Sequence, residues 1–357
     1  MNEHILSTET QATLLLSGVF GSEPSSIQPL TLAEFNKFEQ WLAGEGLRLS
    51  TLIEADSQWV TEKFQSSSFD MERLSALLSR GSAMAIAVEQ WANIGLWVLS
   101  RNDEKYPQRL RERLKQTAPA ILYGAGNRRL LSRGGLAIAG SRDADEAALS
   151  FVRKVGEVCA QQAIQVISGG ARGVDSEAML AALERGGTGV GILSGNLAHE
   201  MVSGTCRSWL AEEQLALLSP FHPRAAFNVW SAMERNKLIY GMADFGLVVS
   251  AELNKGGTWS GALENLKKGW VPLFVRDDED APTGNRGLIK RGGIAIEPNA
   301  IQADISLLDR LKNLADTLGA AQTSKNKSAE SEEQLSLEWH PRESPKPRKP
   351  GKKKKTT

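Results

Sequence analysis

Between about residues 106 and 300 the chain alternates short, almost continuous apolar runs with longer segments whose apolar positions recur at helical spacing. The runs are LAIAG, IQVIS, TGVGILS, LALLS, FGLVVS and VPLFV, and the segments between them include DEAALSFVRKVGEVCAQQ, SEAMLAALERG and TWSGALENLKKG. Short runs without polar alternation belong to strands covered on both faces. Their alternation with helices predicts an α/β fold, a parallel sheet with helices on both sides. Residues 1 to about 105 show mainly helical periodicity, as in TLAEFNKFEQWLAGEG and MERLSALLSR, and predict a small helical domain in front of the sheet. Trp41, Trp59, Trp91 and Trp97 then read as core anchors, because helical spacing accounts for them without a base-stacking platform. A helix is expected at 301–320, followed at 321–357 by a disordered basic tail whose Ser, Lys, Glu and Pro content is too polar to fold alone.

Two of the predicted strands end in small, glycine-rich loops that each carry an arginine. Gly140, Ser141 and Arg142 follow the first run; Ser168, Gly169, Gly170, Arg172, Gly173 and Asp175 follow the second. Glycine loops let a ligand approach backbone N–H groups, and ligands of parallel sheets bind beyond the carboxyl ends of strands. A guanidinium beside such N–H groups suits phosphate, so both loops are candidate phosphate seats.

Composition narrows the reading. A chain of 357 residues with 41% apolar content can hold one large α/β domain and a smaller one. Cys159 and Cys206 do not make a disulfide framework, and a reducing cytoplasm fits them best. The start MNEHILSTETQ lacks the basic and apolar blocks of a signal peptide, and no apolar window is long enough to span a bilayer. The formal net charge of zero hides an asymmetry: from His340 onward eight basic residues face only Glu343, leaving the body about as negative as the tail is positive. Any anion site in the body must therefore be local, while the tail could attract polyanions through counterion release.

Several chemistries find no support. No Walker loop is present, and the GAG at Gly124 lacks the third glycine of a dinucleotide fingerprint. His4, His199, His222 and His340 stand apart from one another and from the cysteines, so no metal is expected. Ser141 and Ser168 lack a nucleophile-elbow setting or an obvious base; no catalytic residue and no cofactor are expected.

The segments AIAGSR, ISGGARGVDSEAMLAAL, ERNKLIYGMAD, GGTWSGALENLKKG and TGNRGLIKRGG, in this order, resemble the DprA/Smf family of DNA-processing proteins over about Tyr106 to Ile296. The resemblance implies a Rossmann-like domain at 106–300, single-stranded DNA as ligand, a homodimer, and loading of a RecA-type recombinase. It assigns Arg142 to the family's GSR loop and Gly169, Arg172, Gly173 and Asp175 to its SGxAxGxD loop. Arg235 and Asn236 match the start of the RNR motif, where Lys237 replaces the second arginine and loses its bidentate fork. Gly257 and Thr258 match the SGS loop. Asp175 also reads as a cap for the following helix, and Arg235 as the internal partner of an acid such as Glu252.

Departures from the family pattern affect the same region: Met179 stands where histidine is usual, Ser250 where an acid commonly ends a strand, and the polar tail replaces a winged-helix domain. Relatives of this type also partner phosphoribosyltransferase-type toxins in phage-defence pairs, so a nucleotide-sensing or toxin-neutralising protein is the alternative to a DNA-binding one. A phosphoribohydrolase comes third. Its PGGxGTxxE pattern is matched here only by Gly256 and Gly257 with Glu264 one position out of register and no proline.

Overall fold

The six apolar runs form six neighbouring strands, and three further segments extend them into one sheet. The structure, a computed structural model, describes residues 6–21, 27–54 and 69–317. Its strands are β1 (Leu96–Ser100), β2 (Ile121–Gly126), β3 (Leu136–Ala139), β4 (Val166–Ser168), β5 (Gly189–Ile192), β6 (Leu215–Ser219), β7 (Phe245–Val248), β8 (Leu273–Arg276) and β9 (Ile294–Ile296). They lie in the order β1-β2-β6-β5-β4-β3-β7-β8-β9. From β6 to β9 every pairing is parallel, whereas β1–β2 and β2–β6 are antiparallel. The fold is Rossmann-like α/β, with the chain progressing outward in one direction from β3 to β4 and in the other from β7 to β8.

Residues 96–100, inside the stretch read as helical, are a strand. All five of its residues are buried, so it shows no polar face that would mark a strand by alternation. Its docking surface is supplied by distant residues: Trp97 donates from Nε1 to the Gly126 carbonyl at 3.1 Å, and Trp91 meets Tyr123 edge to face at 5.2 Å. Trp91 and Trp97 are core anchors of this layer, and Trp41 stacks beside Phe38. Trp59 lies outside the described residues.

The helices ahead of β1 build a second core from Ala12, Leu16, Phe35, Phe38, Leu42 and Leu77, among others, which includes Ala120 just before β2. Asp103 fastens this layer to the sheet. Its carboxylate accepts from the Ser7 and Thr10 hydroxyls at 2.8 and 2.6 Å and from the Ser100 N–H at 2.7 Å. Residues up to 308 accordingly form one unit. Residues 307–317 are helical. The basic tail lies outside the described residues, among which no helix is long and apolar enough to cross a membrane.

The Leu32–Gly44 helix begins with a capping box in which Thr31 and Glu34 exchange hydrogen bonds. Glu34 also accepts from Arg73 at 2.9 Å, and these bonds hold its carboxyl at about 2 against an ordinary 4.5. Because the folded value is depressed, the stabilisation is present above pH 4.5 and is lost as pH falls toward 2. The side chain is 43% exposed, so solvent screens the pair. Glu34→Gln should cost about 1 kcal/mol at neutral pH, and urea denaturation across a pH series should show the gap closing within that window. A gap that persists unchanged at pH 2 would contradict this assignment.

Candidate phosphate and nucleic-acid site

The strand order reverses between β3 and β7, and the crevice beyond their carboxyl ends is where open α/β sheets bind ligands. A cleft of 500 Å³ opens there. Its walls come from the loop after β3, the loop leading into the Val174–Glu184 helix, the Val229–Met242 helix, and the start of the Gly256–Lys268 helix.

The first two loops are locked together. Val174 N–H donates to the Ser141 carbonyl at 3.2 Å. Gly173 makes the crossing possible: its φ is +89°, and a Cβ there would stand 2.4 Å from the Ser141 oxygen. Asp175 is the clamp. One of its oxygens accepts from Gly140 N–H at 3.3 Å and the other from Gly169 N–H at 3.2 Å, while the Arg235 guanidinium lies 4.0 Å away. Asp175 is thus the internal partner of Arg235; Glu252 pairs with Lys255 at 3.0 Å instead.

Loop amides expected to be bare are largely engaged. Besides the two held by Asp175, Ser141 N–H donates to the Ser250 hydroxyl at 3.0 Å and Asp143 N–H to the Ser141 hydroxyl at 3.1 Å. Ser250, where the family commonly has an acid, supplies this acceptor as a neutral group. Ser168 is corrected as a phosphate ligand: it is fully buried, and its hydroxyl donates to the Ile138 carbonyl at 2.7 Å, tying β4 to β3. Lys237 is corrected as well. It pairs with Glu234 at 2.7 Å, its i,i+3 neighbour on the same helix face, and both side chains line a separate apolar groove beside Trp230 and Phe221. Arg172 bonds on the exposed rim to Asp143, which lines the cleft beside Arg142, while Arg172 itself stands outside the cleft wall.

Arg142 and Arg235 remain. Arg142 stands over the Phe227 ring, 4.9 Å from its centroid, at the mouth of the cleft. Arg235 is 4% exposed, and its buried Nε has no hydrogen-bond partner. The buried Tyr240 hydroxyl, on the same helix, is likewise without a partner. Buried donors left unmet cost about 1–3 kcal/mol each. Burial pushes the Asp175 carboxyl up and the Arg235 guanidinium down, each opposed by the other's charge.

Thr258 donates from its hydroxyl to the Gly140 carbonyl at 2.9 Å, and Asn236 donates to the Gly257 carbonyl at 3.0 Å. These bonds fix the first turn of a thirteen-residue helix against the cleft, with its positive dipole end toward the space between the arginines. Gly170, with φ +63°, shapes the second loop but does not line the cleft. Met179 is buried beneath β5 near Gly189 and Gly191, so the histidine position of the family contributes only packing here. Tyr240 and Phe227 were not legible as site residues: Tyr240 sits in an apolar helical stretch, and Phe227 reaches the site from an irregular loop.

The family model described as DNA recombination-mediator protein A matches residues 97–303, more than half of the chain and all the elements that build the cleft. The chain belongs to this family. Among curated relatives, Protein Smf of Escherichia coli strain K12 is 31% identical over 194 residues, covering 51% of this chain and 50% of that protein. DNA processing protein DprA of Streptococcus pneumoniae is 27% identical over 156 residues, covering 43% and 54% respectively. The chain therefore spans about half the length of the curated relatives it matches. A solved structure of DprA from Streptococcus pneumoniae covers 78% of this chain and 99% of its own at a TM-score of 0.54 and 20% identity, a likeness of fold. A structure of DNA processing protein A from Helicobacter pylori, described by its single-stranded DNA binding mode, covers 62% and 96% at a TM-score of 0.48 and 21% identity.

Proposed function

We propose that this recombination-mediator family member binds single-stranded DNA in the switch-point cleft, unchanged chemically, and presents it as a homodimer in the cytoplasm to a RecA-type recombinase. The observation that carries the binding step is Arg142: an arginine at the cleft mouth, with no acidic partner among the described residues, laid over an exposed phenylalanine. That pair offers a backbone phosphate a cation and a neighbouring base an aromatic face, which suits an unstacked strand. Membership of a family named for mediating recombination supports the recombinase step. The three acids that line the cleft each have a partner in the protein, Asp175 in the loop amides, Glu252 in Lys255 and Asp143 in Arg172, which supports binding without turnover.

Titration of a labelled oligodeoxynucleotide across a salt series tests this reading. Arg142→Ala should weaken binding about tenfold, which corresponds to roughly 1.4 kcal/mol, and reduce the salt slope by about 0.7. Arg172→Ala should do less, because Asp143 already neutralises that guanidinium. An unchanged affinity and slope in Arg142→Ala would reject the site.

A further inference from the structure

Arg142 at the rim accounts for a passing strand, but it leaves the floor of the cleft unexplained. There Arg235 and Tyr240 project from the Val229–Met242 helix, both more than nine-tenths buried and each with a donor that meets no acceptor. Both line the same cleft as the first turn of the Gly256–Lys268 helix. A guanidinium carries five N–H donors, yet the ionic contact of Arg235 is a single one at 4.0 Å, to a carboxylate whose two oxygens are already engaged by Gly140 and Gly169. The floor is therefore rich in donors and poor in acceptors.

An internal phosphodiester matches this floor badly. It carries one negative charge and two ester bonds, so a strand would have to enter the cleft, reach a nearly enclosed guanidinium and leave again. A phosphomonoester has a single ester bond and three oxygens that accept hydrogen bonds, and it carries close to two charges at neutral pH. It can end at the floor.

We propose that the Arg235–Tyr240 floor binds a terminal phosphomonoester, either the phosphorylated end of a DNA strand or the phosphate of a free nucleotide. The inference rests on the reading of the cleft as the DNA site and names the chemical group at its deepest point. The strand or nucleoside would rise from the floor past Arg142 and Phe227 at the mouth.

Oligodeoxynucleotides of one length and sequence, carrying a 5′-phosphate, a 3′-phosphate or hydroxyls at both ends, should be compared by fluorescence anisotropy with the full chain. One of the phosphorylated strands should bind at least tenfold tighter than the unphosphorylated strand, and deoxynucleoside monophosphates should be added as competitors. Competition by the monophosphate at concentrations comparable with the strand end identifies a nucleotide pocket; preference for the phosphorylated strand without such competition identifies a strand-end pocket. Arg235→Met should bind all three strands equally. Tyr240→Phe keeps the buried ring and removes only the hydroxyl, so it should fold as the native chain does and reduce the preference about threefold. Equal binding of the three strands by the native protein, with no competition by monophosphates, overturns the inference while leaving single-stranded DNA binding intact. Loss of binding to every strand overturns the DNA reading itself.

Discussion

Asp175→Ala should destabilise the protein by about 3–5 kcal/mol, because it strands the buried Arg235 guanidinium without its counter-charge. It also removes the acceptor of two amides, Gly140 N–H and Gly169 N–H, that belong to different loops. Against a total stability of roughly 5–15 kcal/mol for a typical domain, the variant should unfold at a much lower urea concentration. Desolvation disfavours both charges of the native pair, so the pair is worth more as a means of holding the two loops than as a source of stability. A double variant, Asp175→Ala with Arg235→Met, should accordingly be more stable than Asp175→Ala alone. Strict additivity of the two single losses in urea melts would show that the two side chains do not interact.

Gly169→Ala should nearly abolish binding at the cleft floor and cost about 2–3 kcal/mol in stability. The obstacle is space: a Cβ at this position would stand 1.6 Å from one Arg235 terminal nitrogen and 2.4 Å from the guanidinium carbon. The backbone adds no left-handed strain, because the φ of Gly169 is not positive. The arginine must leave its seat, and with it goes the cation of the floor. If that is the mechanism, Gly169→Ala should add almost no destabilisation in an Arg235→Ala background. A full penalty in that background, measured by the same urea melts, would place the conflict elsewhere.

How much of this site could be read from the chain depends on how local each determinant is. The six apolar runs became β3 to β8 because a strand buried on both faces announces itself by its own residues. The glycine loops after β3 and β4 were legible for the same reason, and the motif resemblance pointed to Arg142, Arg235, Gly257 and Thr258, which the fold brings to one cleft. The strands β1, β2 and β9 were not assigned. β1 and β2 are antiparallel additions whose partners lie far along the chain, and β9 is a three-residue edge.

Sequence alone determined the layered α/β architecture and the two arginine loops at its strand ends, since burial pattern and backbone permissiveness are properties of short segments. Tertiary structure decided which polar groups are already spent. Ser141 N–H meets Ser250 across 109 positions, Gly140 N–H meets Asp175 across 35, and Arg172 is claimed by Asp143 while Arg235 keeps donors in reserve. A hydrogen bond satisfies a donor irrespective of sequence distance, so only the folded arrangement separates an arginine held by the protein from one held open for a ligand.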